Sequence, residues 1–254
     1  TNGNNNNSGV LTDPFLTIQY AIDQAQNDDI IHVAAGTYVE NINYSGKYIS
    51  LVGEDPETTI IDGNQSGRVF VYNSSVGHDQ DLRISGFTIQ NGLHDNAAGM
   101  LIENSQITLE NLIIKDNYAI NNSGGVNVSG GSPIIKNCIV KNNNAGWAMG
   151  GIGFHQTNAK VLNSLFTNNG PCYGSAFAVW TGSNVELHHT TVVNNTGSLP
   201  IAAENNSNIS LINSVVWSNG DRQISLGAGG DPSNPDTLNV SYSNIENGLD
   251  STVY

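Results

Sequence analysis

Between residues 82 and 219 one short phrase keeps returning: RISGFTIQNG, TLENLIIKDN, IIKNCIVKNN, KVLNSLFTNN, ELHHTTVVNN, SLINSVVWSN. Superposing the phrases puts Ile89, Ile114, Val140, Phe166, Val192, Val216 and, more loosely, Ile245 in one column, with steps of 25, 26, 26, 26, 24 and 29 residues. A period of this length belongs to a solenoid or a propeller. Each repeat holds three short β-branched runs, such as 107–110, 112–115 and 126–129, separated by Asn- and Gly-rich turns. Runs this short have no hairpin partner inside the repeat, so each pairs with its own copy one turn on, which makes a parallel β-helix. A propeller needs blades of about 40 residues or more.

The repeat leaves no linker, so the chain reads as one β-helix domain over 1–254: a loop at 1–13, a capping helix at 14–27, early rungs over 28–81 and regular rungs over 82–254, about nine or ten rungs in all. The helix follows from Ile18, Ala21, Ile22 and Ala25 at helical spacing over about three turns, and the first rung of a solenoid needs such a cover. Only 12% of residues are charged, and Lys and Arg number 8 against 22 Asp and Glu, a formal charge of −14. That balance argues against nucleic acid, whose phosphates must be neutralised by cations, and against polyanionic sugars unless a cation intervenes. No apolar run approaches the roughly 20 residues of a membrane helix, so no membrane insertion is expected. Cys138 and Cys172 form no disulfide framework, and Cys138 falls in an apolar column as a buried thiol.

The segments DPFLTIQYAIDQAQNDDIIHVAAGTYVENI, ISLVGEDPETTIIDGNQSG and RISGFTIQNG resemble right-handed parallel β-helix proteins of the pectate-lyase-like superfamily, and more narrowly its secreted bacterial repeat proteins. The resemblance implies an all-β fold, a right-handed coil and a place outside the cell or on its surface. It also implies further rungs or another domain after the sequence VSYSNIENG. It says little about chemistry, because the superfamily includes lyases, hydrolases, epimerases and adhesins.

Alternation along a strand then sorts inward from outward side chains. For the third strand Met100/Ile102, Val126/Val128, Ile152/Phe154, Phe177/Val179 and Ile224/Leu226 point inward. Just behind them runs an outward column of Glu103, Ser129, His155, Trp180 and Glu204, about 4.8 Å apart from rung to rung. On a flat face these are glycan-binding candidates: Trp180 beside His155 can stack a sugar ring while Glu103 and Glu204 hold hydroxyls or a cation. The alternative is an ordinary solvated sheet face. For the second strand the outward column is Thr88, Ile113, Ile139, Leu165, Thr191 and Val215, with Gln90, Lys115, Lys141, Thr167, Val193 and Trp217 beside it. An exposed aliphatic stripe marks a contact surface, so Ile113, Ile139, Leu165, Val215 and Trp217 are self-association candidates, unless 91–98 and 228–236 fold over them. At the bend between first and second strands Asn111, Asn137, Asn163 and Asn213, with His189, are expected to form an internal amide ladder, and the NN pairs after the second strand to form turns.

Catalysis finds little support. Lyases of this superfamily neutralise a uronate with Ca²⁺ or Arg and use a basic residue to remove a proton, but the basic residues here are scattered. Glu103 and Glu204, four rungs apart, stand roughly 19 Å from each other at the strand spacing. An inverting hydrolase needs about 6.5–9.5 Å. Asp95, Asp116 and Asp221 lie in turns. No metal-ligand spacing is present, so no metal or cofactor is expected, with Ca²⁺ in an acidic turn left open. The leading expectation is a non-enzymatic structural or adhesive solenoid that binds its own kind or a surface polysaccharide. The alternative is a polysaccharide lyase or glycoside hydrolase working on the Glu103 to Glu204 face.

Overall fold

In a computed structural model, which describes residues 3–73, 82–220, 222–227, 235–248 and 252–253, the chain winds as a right-handed parallel β-helix. Three sheets, each of nine parallel strands, form its faces. The first face begins at Ile30–Val33, the second at Gly36–Val39 and the third at Ile42–Asn43. The expected column is the register itself: Ile61, Ile89, Ile114, Val140, Phe166, Val192, Val216 and Ile245 are paired in succession. The inward pairs of the third strand are likewise buried. Segments 74–81 and 228–234, and Asp221, lie outside the described residues.

In the regular rungs the corners turn on residues in the left-handed region. Between first and second faces these are Asn111, Asn137, Asn163, His189 and Asn213, with φ of 51, 54, 48, 53 and 50°. After the second face they include Asn142, Asn168 and Asn194, with φ of 55, 55 and 56°. Asn tolerates this conformation better than other residues bearing a Cβ, which explains its abundance here. The turns also correct the expected ladder. Asn111, Asn137, Asn163 and Asn213 are exposed, because a left-handed residue at the bend turns its side chain out of the stack.

The internal amide ladder is made by the second member of each NN pair together with Asn117 and Asn219, which hold the same place after Asp116 and Ser218. Asn117, Asn143, Asn169, Asn195 and Asn219 are buried to 1% exposure or less. Each Nδ2 donates to the next Oδ1: Asn117 to Asn143 at 2.9 Å, Asn143 to Asn169 at 3.2 Å, Asn169 to Asn195 at 2.9 Å and Asn195 to Asn219 at 3.0 Å. Each also donates to a backbone carbonyl, as Asn169 does to Val140 at 2.9 Å. Gln223, buried, ends the row by accepting from Asn219. Hydroxyls serve the other corners: Ser164 accepts from the Cys138 amide, and Ser183 and Ser207 from the amides one rung below. Cys138 is a buried free thiol whose pKa burial pushes up to about 12.

The capping helix is shorter than its periodicity suggests. It covers Ile18–Gln24, seven residues, because Ala25 is already extended at ψ 150°. Ile18 and Ile22 cover the first rung. A helix this short has orphan groups at both ends. Here the next rung satisfies them. The Glu40 carboxylate accepts from the amides of Ile18 and Gln19 at 2.9 and 2.8 Å. At the other end Lys47 Nζ donates to the carbonyls of Ile22, Asp23 and Ala25 at 2.7, 2.7 and 2.8 Å. Lys47→Met is therefore expected to cost about 2 kcal/mol, the range for hydrogen bonds to a charged group, measured as the loss in urea unfolding free energy.

Candidate functional site

The outward column of the third face is in register as expected: Asn73, Glu103, Ser129, His155, Trp180 and Glu204 are paired in succession. The flat, open face is not. A small sheet of Leu93–Asn96, Tyr118–Asn122 and Asn144–Ala145 stands beside it. The turn after Asn144–Ala145 lies on the outer surface, where Ala148, Met149, Ala178 and Ala202 form a fully buried cluster with Tyr173 and Trp180 packed against it. Ala178 and Ala202 point outward by alternation and are nonetheless covered, because small side chains leave room for an outer layer.

This roof brings two unforeseen aromatics to Trp180. Ring centroids lie at 5.7 Å for Trp147, at an interplanar angle of 62°, and at 6.1 Å for Tyr173, at 49°. His155 stands edge-on at 5.7 Å and 88°. Trp147 is 63% exposed. The Tyr173 hydroxyl donates a hydrogen bond to Glu204 Oε1, and its pKa is raised by burial, then by Glu204 and Asp236. Trp180 Nε1 is buried without a partner, as is Asp236 Oδ2. Asp236 Oδ1 accepts from the Ser207 amide at 2.7 Å.

A register shift between Tyr173 and Phe177 lifts Tyr173 into place: four residues on this strand run against two on the next, from Leu199 to Ile201. Extra residues of this kind re-aim side chains at sites. The shortened step of 24 residues between Val192 and Val216 is the trace this leaves in the sequence. Trp147 leaves none beyond being a large aromatic in a Gly- and Ala-rich turn.

Of the expected residues the structure gathers His155, Trp180 and Glu204 and leaves Glu103 apart. Glu103 sits two rungs below His155 and close enough to Arg68 to hold its guanidinium charged against burial. No group of three or more His, Cys, Asp and Glu able to hold a metal ion occurs among the described residues. Nor is any helix among them long and apolar enough to cross a membrane.

The aliphatic stripe on the second face keeps its register through Ile113, Ile139, Leu165, Thr191 and Val215. Its expected exposure needs correction. Thr88 and Ile113 are buried, at 3% and 5% exposure, while Ile139 and Leu165 are half-buried. The Thr88 hydroxyl donates to the carbonyl of buried Pro56 at 2.6 Å, which lays that turn over the start of the stripe. Residues 93–96 pair within the small sheet instead of forming such a cover. Only Val215 at 37% and Trp217 at 42%, near the end of the stripe, are exposed.

Burial holds the His155 imidazole below its ordinary range. The unfolded chain therefore takes up the proton first as pH falls, so this contribution to stability is present above the unfolded pKa of about 6.5 and is lost as pH drops from there through the folded value. Thermal midpoints followed from about pH 7 to about pH 5 are expected to fall less steeply in His155→Gln than in the wild type.

Residues 35–216 match the family model described as right handed beta helix region. Residues 1–45 match a second model, described as protein of unknown function (DUF1565). None of the curated proteins matches the chain.

Proposed function

The chain belongs to the right-handed β-helix family, and from that premise we propose that it is a non-catalytic solenoid that binds a surface glycan outside the cell. The observation that carries this reading is the pairing of Trp147 and Trp180 at 5.7 Å on the outer surface of the third face, with polar groups of His155, Tyr173 and Glu204 around them. Aromatic faces give a sugar ring its apolar contact, and a few placed polar groups orient its hydroxyls. Glu103 and Glu204, four rungs apart, are about 19 Å from each other by strand spacing, too far to act on one bond. A second copy seated on the second face is the weaker reading, since Thr88 and Ile113 are buried, Ile139 and Leu165 half-buried, and only Val215 and Trp217 exposed.

The test is calorimetric titration with a panel of neutral gluco-, manno-, xylo- and galacto-oligosaccharides. Binding by at least one class is expected, weakened about tenfold or more in Trp147→Ala, as for an interface anchor. Because Trp147 is 63% exposed, the variant is expected to keep its fold. Absence of binding across the panel, or unchanged affinity in the variant, contradicts the reading.

A further inference from the structure

We infer that this site selects glycans carrying free amino groups, glucosamine-type sugars with a protonated amine, over their neutral counterparts. The inference rests on the glycan-binding reading above and concerns the charge of the ligand. Trp147, Tyr173 and Trp180 present ring planes at 62° and 49° to one another about Trp180, at centroid separations of 5.7 and 6.1 Å. Non-parallel aromatic faces at such spacing attract a cation through their negative π-faces. Two carboxylates act on Tyr173, Glu204 by a hydrogen bond and Asp236 through its charge. Glu204 accepts from Tyr173, which leaves Oε2 outside that bond. Asp236 has one buried oxygen with no partner, and its charge reaches the Tyr173 hydroxyl.

Neither carboxylate has a cationic partner among the described residues: the ion pairs there join Lys115 to Asp116, Lys136 to Glu110, and Lys160 and His188 to Glu186. His155, which stands edge-on to Trp180, is held toward its neutral form by burial. A ligand ammonium supplies the missing positive charge. A uronate brings the wrong sign to two carboxylates in a chain with a formal charge of −14. An apolar groove for neutral sugars needs no unpaired acid beside its aromatics, since burying a charge without a partner is costly. The carboxylates separate this reading from generic sugar stacking.

The test compares two oligosaccharides with the same backbone, hexaglucosamine and hexa-N-acetylglucosamine, titrated calorimetrically into the wild-type chain at a pH where the free amines are protonated. The amine form is expected to bind about tenfold tighter. That preference is expected to disappear in Glu204→Gln, whose amide oxygen still accepts from Tyr173, while affinity for the acetylated form changes little. Trp147→Ala, at an exposed position, is expected to weaken both. Equal affinity for the two sugars overturns the inference and leaves the glycan-binding reading standing. A preference that survives Glu204→Gln also overturns it, because the net charge of the chain then accounts for the effect. Binding of neither sugar, together with none of the neutral panel, overturns both.

Discussion

Asn169→Leu is expected to lower the unfolding free energy by about 4 kcal/mol, while Asn168→Gly, one residue earlier, changes it by less than about 0.5 kcal/mol. The Asn169 side chain accepts from the Asn143 amide at 3.0 Å and from Asn143 Nδ2 at 3.2 Å, and donates to the Val140 carbonyl at 2.9 Å and to Asn195 Oδ1 at 2.9 Å. Leucine leaves the Asn143 backbone amide buried without its acceptor and takes one partner each from Asn143 Nδ2, which keeps the Ile114 carbonyl, from the Val140 carbonyl and from Asn195 Oδ1, at about 1–3 kcal/mol for a group left unpaired, before relaxation. It also breaks the row in the middle, where rungs on both sides depend on it. Asn168 is exposed at φ 55°, a conformation glycine adopts freely. Urea unfolding followed by circular dichroism separates the two. Equal losses at both positions would contradict the assignment of the ladder.

Gly151→Ala is expected to cost about 3 kcal/mol, at the upper end for overpacking a well-filled interior. A Cβ there would stand 2.2 Å from the Ala176 carbonyl oxygen on the next rung. Gly99 and Gly125 occupy the same place on the rungs below, where a Cβ would meet the carbonyl oxygens of Gly125 and Gly151 at 2.3 and 2.5 Å. A backbone contact cannot be relieved by rotating a side chain, so the strand itself must shift. That strand, Ile152–His155, carries His155 to the site. The variant should therefore also weaken glycan binding, unlike an equally destabilising change in the cap, such as Lys47→Met combined with Glu40→Gln. Thermal midpoints and titrations on the same samples check both parts.

How far the sequence discloses this molecule depends on periodicity. Inward positions repeat at two residues within a strand and about 26 between rungs, so Ile114 or Phe166 is assigned by arithmetic and found in place. The outward column from Glu103 to Glu204 obeys the same arithmetic and is found in register. What covers it does not. Trp147 sits in a turn without a repeat position, and Tyr173 reaches Trp180 through a register shift visible only as a shortened step. The two asparagines of an NN pair carry the same letter and opposite roles, one turning the chain and one buried between rungs. Choosing between them needs the φ of the corner, which composition does not carry. The helix ends early for a similar reason: Lys47 takes its last carbonyls from outside the segment where its periodicity is read.

Tryptophan fluorescence offers the most direct test that a sugar is held on the Trp147 and Trp180 pair, because the chain has three tryptophans and the third, Trp217, lies on the second face. Titration with a bound oligosaccharide is predicted to give a saturable change in the emission of the wild type and of Trp217→Phe, and to lose it when Trp147 and Trp180 are both replaced by phenylalanine. No saturable change with any sugar that binds, or an undiminished change in the double variant, would contradict the account.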